Sequence, residues 1–77
     1  MPNYLVWDHD TETPEEANYI VEAGDPETAI EEFADDMDDR GPEHTIRARE
    51  VLRDTIYEAV VKIVIEPVIY VGAIKEV

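Results

Sequence analysis

Residues 25–39 read DPETAIEEFADDMDD, and this stretch predicts the helix around which the rest of the chain is arranged. Asp25 is a preferred N-cap residue, and Pro26 suits the first helical position because an N–H there has no partner within the helix. Gly41 and Pro42 stop the helical pattern, so we expect a helix over residues 26–39. Its apolar positions recur at helical spacing and form a single stripe: Ile30, Phe33, Ala34 and Met37.

The segments on both sides of the helix predict β-strands at residues 4–7, 18–23, 55–65 and 68–74, with a turn at Pro67. Residues 45–53 fit either strand alternation or a helical stripe that continues to Ile63, and the β-branched density after Thr55 favours a strand. The result is one α+β domain over residues 1–77, in the order β-β-α-β-β-β. An antiparallel β-sheet of about five strands carries the acidic helix on one face.

The second face of that sheet is left without a cover. In the strand at 55–65, polar Glu58, Lys62 and Glu66 share one parity, so positions 57, 59, 61, 63 and 65 point to the core. Val60 and Val64 add apolar character to the opposite side. Either the sheet curls into a half-barrel, or this face meets a partner such as a second copy of the chain.

Composition excludes several classes of protein. The 77 residues contain 20 acids, 6 bases and no cysteine, serine or glutamine, which removes serine and cysteine nucleophiles and cysteine-based zinc sites. A net charge of −14 opposes direct binding to nucleic acid or to an anionic membrane. With no long apolar run and no basic-then-apolar N-terminus, we expect a cytoplasmic protein.

The negative charge is concentrated in one half of the chain. Residues 1–39 contain 14 acids and no Lys or Arg, whereas residues 40–77 contain 6 acids and 6 bases. Acids also crowd the C-terminal end of the predicted helix, where the helix dipole is already negative. Such a repeated local conflict is typical of a functional surface. The candidate partner-binding residues are Glu27, Glu31, Glu32, Asp35, Asp36, Asp38 and Asp39, with Asp8, Asp10 and Glu12 as a second cluster and Trp7 at its rim.

Neither a metal site nor a catalytic site is predicted, and no cofactor is expected. The run that begins at Asp8 resembles a calcium loop, but Thr13 and Tyr19 stand where such a loop needs Gly and Glu. His9 is expected at the surface between two aspartates, and His44 has no nucleophile to serve. A domain this small also has little room for a substrate pocket, so we expect a protein that is not an enzyme.

The order of these segments resembles the small acidic proteins of bacteriophage and prophage genomes. The similarity rests on YLVWD at 4–8, NYIVEAGDPETA at 18–29, the acidic helix, and the apolar hairpin that contains IEPVIY at 65–70. Among such proteins are anti-CRISPR and anti-restriction inhibitors, several of which mimic nucleic acid. The resemblance therefore implies an inhibitor of a host-defence protein.

Three hypotheses follow from the sequence. In the first, carboxylates on successive helical turns mimic phosphates and occupy the groove of a basic nucleic-acid-binding protein. In the second, the chain is an interaction or assembly module that homodimerises through its apolar sheet, and the acidity only maintains solubility. In the third, the acidity is an adaptation to high salt, which the charge-neutral C-terminal half opposes.

Overall fold

The computed structural model describes residues 1–36, 43–65 and 68–77 of the chain. It confirms the α+β class and the order of the elements, with a short sixth strand added at the end. In chain order the elements are β1 (Asn3–Asp8), β2 (Tyr19–Glu22), α1 (Pro26–Asp35), β3 (His44–Glu50), β4 (Ile56–Ile65), β5 (Val68–Val71) and β6 (Lys75–Glu76).

All strand pairs are antiparallel, and the sheet has the order β2-β1-β3-β4-β5, with β6 also pairing with β4. The first two strands pair with each other as a hairpin, with Leu5 opposite Ile20. The segment at 45–53 is a strand and not a helix, since β3 pairs with β1 on one side and with β4 on the other. It ends at Glu50, whose carbonyl accepts the N–H groups of Arg53 and Asp54 in a tight turn.

The helix begins where the sequence predicts. The Asp25 side chain accepts a hydrogen bond from the Thr28 N–H at 2.7 Å, and Pro26 occupies the first turn. The helix ends at Asp35, four residues before the predicted end, with Asp36 as its C-cap. Aspartate is a weak helix former and adds charge to an end that is already negative, so the acidic run favours an early end. Of the predicted helical residues, Met37, Asp38 and Asp39 lie outside the described residues.

The core lies between α1 and one face of the sheet. Alternate residues of the central strands point to the helix and are buried, as period-two alternation requires. The predicted inward parity of β4 is confirmed for Tyr57, Ala59 and Val61, whereas the side chains of Ile63 and Ile65 lie outside the described part. Phe33 is only partly buried at the edge of this core. The fully or nearly fully buried members that fill it are Tyr4, Val6, Ala23, Ala29, Ile30, Ala34, Ile46, Ala48, Ala59 and Val61.

The opposite face of the sheet differs from one strand to the next. Trp7 has the parity opposite to Val6, and it is completely buried. Toward the sheet edges, Ile20, Val60 and Tyr70 are exposed on the same face. The sheet is curled, which agrees with the half-barrel expectation. Association of this face with a second copy stays a prediction.

Candidate protein-binding face

The solvent side of α1 carries five exposed carboxylates in two rows. Glu27, Glu31 and Asp35 follow one another at intervals of four residues and form the first row. Glu32 and Asp36 have the same spacing and form the second. Four residues of α-helix rise about 6 Å, so each row places a carboxylate on every turn of one helical face. We refer to these five residues as the carboxylate face.

The linear charge density of this face is high. Positions 27 to 36 span about 13.5 Å of helix axis, because each residue rises about 1.5 Å. Five charges over that length have a mean axial spacing of about 3.4 Å, which is the rise per phosphate along one strand of duplex DNA. The helix has an acidic residue in its first turn and no basic residue in its last. No charge in its own last turn compensates the negative end of the helix dipole.

A contact with β2 holds the C-terminal end of the carboxylate face in place. The Tyr19 hydroxyl donates a hydrogen bond to the Asp36 carboxylate at 2.5 Å. This hydrogen bond is the main cause that raises the pKa of Tyr19 to about 12, and burial adds to it. The Tyr19 ring packs edge-on against Phe33, with ring centroids 5.1 Å apart. The side chain of Asp36 therefore has a fixed position relative to the sheet.

The cations of the sheet lie on the side away from the helix. Arg47 and Arg49 alternate with the buried residues of β3, and Lys62 does the same on β4. Lys75 shares this face because it lies directly opposite Glu58. Within residues 1–36, 43–65 and 68–77, no ion pair links a Lys or Arg to the carboxylate face. The Lys and Arg side chains of these strands thus lie on the face of the sheet opposite the carboxylate face.

One carboxylate, Glu58, holds two of these cations. Its oxygens lie 3.0 Å from Arg47 Nε and 3.1 Å from Lys75 Nζ. The hydrogen bonds from Lys75 and then from Arg47 lower the pKa of Glu58, against a smaller opposing effect of burial. These contacts link β6 and β3 to the middle of β4. They also pair Arg47 and Lys75 with Glu58, so these two cations are not paired with the carboxylates of the helix.

The structure divides the second predicted cluster. Asp10 is exposed and Glu12 is half-buried, so both can contribute to an acidic surface. Asp8 is only 5% exposed, because its carboxylate binds His44 in the interior. Trp7 is 0% exposed and not at the rim of an acidic surface, since strand alternation turns it into the sheet's second face. Among the remaining candidates, Asp38 and Asp39 lie outside the described residues.

Sequence reasoning missed a grouping of three side chains. His9 is exposed, as expected, but His44 lies in the interior beside Asp8, with Asp10 close to both. The three carry ligating atoms within 4.8 Å of one another. The pairing of β1 with β3 brings the three side chains together. Asp8 and His44 are 36 residues apart in the sequence, and no local pattern indicates that their strands pair.

Comparison with protein-family models, with curated proteins and with solved structures finds no match for this chain. No helix in the described part of the chain has the length and apolar character needed to cross a membrane.

Proposed function

We propose that this protein is a non-enzymatic inhibitor that binds a basic nucleic-acid-binding protein through its carboxylate face. In this proposal Glu27, Glu31, Glu32, Asp35 and Asp36 stand in for the phosphates of one nucleic-acid strand. Asp38 and Asp39 continue the acidic run in the sequence and belong to the same proposed surface. The proposed partner is a host-defence protein of the kind that anti-CRISPR and anti-restriction inhibitors block. The two proteins bind each other in the cytoplasm of a bacterial or archaeal host.

The observation that carries the proposal is the charge density of the carboxylate face, which has no ion pair to a Lys or Arg among the described residues. Five exposed carboxylates along about 13.5 Å of helix have the same mean axial charge spacing as a phosphate strand. A surface that only needs to be soluble gains nothing from placing aspartates at the negative end of a helix dipole. Concentrated single-sign charge also speeds the encounter with a basic groove and orients the two partners.

The partner is identified by its chemistry, so the test begins with capture and continues with competition. Immobilised protein is incubated with bacterial host lysate at low salt, and bound proteins are eluted with rising salt. Each captured nucleic-acid-binding protein is then loaded with labelled duplex DNA, and release of the DNA is measured as the inhibitor is added. We expect the wild type to displace the DNA, with an apparent affinity that falls steeply with salt.

Charge-matched variants separate the carboxylate face from overall acidity. The test variant replaces one row, as Glu27→Gln, Glu31→Gln and Asp35→Asn. The control replaces three exposed carboxylates elsewhere, as Glu15→Gln, Glu22→Gln and Glu76→Gln, and so removes the same number of charges. We expect displacement to weaken at least tenfold in the test variant and to change little in the control. Equal weakening in both would mean that only net charge matters, and unchanged displacement in both would contradict the proposal.

A second candidate function rests on the far face of the sheet. Ile20, Val60 and Tyr70 are exposed there, and such apolar side chains are typical of contacts between proteins. In this alternative the chain is an assembly module that homodimerises through the sheet. Sedimentation at micromolar concentration tests it, with Val60→Lys as the disrupting variant. A monomer at that concentration would contradict the alternative and leave the inhibitor proposal untouched.

A further inference from the structure

Asp8, Asp10 and His44 meet at the end of β1, on the helix side of the sheet. Asp8 lies opposite Ile46 in the antiparallel pair, so the same register brings position 10 opposite His44. The pairing continues one step beyond β1, since the His9 N–H donates to the Thr45 carbonyl at 2.8 Å. Strand alternation places Asp8 and His44 on one face, and the turn at residues 9–11 brings the Asp10 carboxylate to the same point.

Backbone groups fix the orientation of both carboxylates. Asp8 Oδ1 accepts a hydrogen bond from the Asp10 N–H, and Asp10 Oδ2 accepts one from the Thr45 N–H, both at 3.0 Å. Asp8 Oδ2 lies 2.8 Å from Nδ1 of His44. Asp8 and His44 are more than nine-tenths buried, at 5% and 8% exposure, whereas Asp10 is exposed. Asp8 and His44 thus lie in the interior, and the group is open to solvent on the side of Asp10.

We propose that Asp8, Asp10 and His44 bind one divalent transition-metal ion of the zinc type. An imidazole with two carboxylates is a donor set suited to zinc, nickel or cobalt, whereas magnesium and calcium prefer oxygen ligands alone. Three protein ligands leave a further coordination position for water on the open side. The site is independent of the carboxylate face and of any partner that the face binds.

The distances suit an ion of this size once the side chain of Asp10 has moved inward. The three ligating atoms lie within 4.8 Å of one another. Two atoms bonded to a tetrahedral zinc ion at about 2.1 Å are about 3.4 Å apart. A movement of about 1.4 Å closes the widest gap that this allows, and the Asp10 side chain can provide it because it is exposed beyond the end of β1. A chain with a net charge of −14 also attracts cations before any ligand bond forms.

Calorimetric titration of the whole protein with zinc chloride tests the site, with magnesium chloride as the competing ion. We expect one zinc ion per chain, and no loss of zinc binding in millimolar magnesium. In proton NMR spectra, zinc should shift the ring resonances of His44 and leave those of His9 unchanged. His9 is a control within the same molecule because the chain contains only these two histidines.

Asp10→Asn is the decisive variant. Asp10 is exposed, and the side-chain amide oxygen of the substituted asparagine can still accept the hydrogen bond from the Thr45 N–H. We expect zinc affinity to fall at least tenfold. The matched control is Asp54→Asn, which removes one exposed aspartate between β3 and β4 and should leave zinc affinity within twofold of the wild type. Equal zinc affinity in Asp10→Asn and wild type would overturn the proposal, as would full competition by magnesium. Shifts confined to His9 would also overturn it.

Discussion

The Tyr19 hydroxyl and the Asp36 carboxylate form a hydrogen bond that joins β2 to the C-cap of the acidic helix, 17 residues further along the chain. The hydroxyl is a hydrogen-bond donor at the C-terminal end of the helix, where the carboxylates and the negative end of the helix dipole repel one another. The same tyrosine packs edge-on against Phe33 and lies 3.5 Å from the Glu32 carbonyl. One side chain of the sheet therefore supports the helix end that carries the most acidic part of the face.

We predict that Tyr19→Phe lowers the free energy of unfolding by roughly 0.5–1 kcal/mol at pH 7, the lower range for a hydrogen bond because this one is exposed. The pKa of Tyr19 is raised from 10.0 to about 12 in the folded protein. The stabilisation is therefore fully present below pH 10 and is lost as the pH rises from 10 toward 12. Urea unfolding at pH 7, 9 and 11 should show the difference between wild type and variant shrinking above pH 10.

The control for this measurement is Tyr70→Phe, which removes a hydroxyl from a tyrosine that is 62% exposed. We expect that change to have an effect within about 0.5 kcal/mol at every pH. If Tyr19→Phe and Tyr70→Phe behave alike, the hydroxyl of Tyr19 does not stabilise the helix end.

A second prediction concerns Glu58 and its two cations. Glu58→Gln should lower the free energy of unfolding by about 1–2 kcal/mol at pH 7, because it leaves the half-buried Arg47 without its carboxylate. The loss of the ion pair with Lys75 contributes less to the destabilisation, since the Lys75 side chain is mostly exposed. The pKa of Glu58 is lowered from 4.5 in the folded state, so its stabilisation is present above pH 4.5 and is lost as the pH falls below that value.

Urea unfolding between pH 7 and pH 2.5 checks this prediction, and Glu76→Gln on the neighbouring strand is the control. The difference between wild type and Glu58→Gln should narrow progressively below pH 4.5. A difference that stays constant to pH 2.5 would mean that the variant acts through packing and not through the charge of Glu58.

A third prediction ranks the apolar stripe of the helix. Ile30 is completely buried, so Ile30→Ala should lower the free energy of unfolding by about 2–5 kcal/mol. Phe33→Ala should have a smaller effect than Ile30→Ala, because Phe33 is only partly buried beside Tyr19. Ile20→Ala makes the same chemical change at an exposed position and should have an effect near zero. Chemical denaturation of the three variants gives the order, and a Phe33 effect larger than that of Ile30 would contradict it.

Local chemistry explains which parts of the fold could be predicted. The start of the helix depends on Asp25 and Pro26, which act within one turn, and the structure confirms it. The C-terminal end of the helix depends on the balance between the helix dipole and a run of aspartates, and no single residue in the sequence marks the last helical position. β3 was ambiguous because its apolar residues fit two periods, and only pairing with β1 and β4 decides between them.

The site shows the same division between local and long-range information. The exposed carboxylates of α1 could be predicted because one apolar stripe fixes which side of a helix meets solvent. The acids beside them in the sequence predict a surface position for Trp7 and Asp8, yet β1 is buried on both faces at this end. The meeting of Asp8 with His44 depends on the register between β1 and β3, which long-range pairing sets.

The last prediction separates stability from binding at the two adjacent aspartates that end the helix. Asp35 is an exposed member of the first carboxylate row. Its replacement in Asp35→Asn should raise the free energy of unfolding by about 0.3–0.5 kcal/mol, since it removes charge from the negative end of the dipole. Asp36→Asn removes the same charge, but it also weakens the acceptor of the Tyr19 hydroxyl. Its net effect should therefore be zero or a loss of stability.

A double-mutant cycle measures this coupling directly. In the Tyr19→Phe background the hydrogen bond is absent, so Asp36→Asn should become stabilising to the same degree as Asp35→Asn. Both aspartate variants should nevertheless weaken displacement of duplex DNA from the captured nucleic-acid-binding protein, because each removes one charge from the carboxylate face. In Asp35→Asn stability would then rise while binding falls, as expected where a surface is adapted to a partner at some cost to the fold. If both variants bind as the wild type does, the carboxylate face is only a solvated surface, and the inhibitor proposal is wrong.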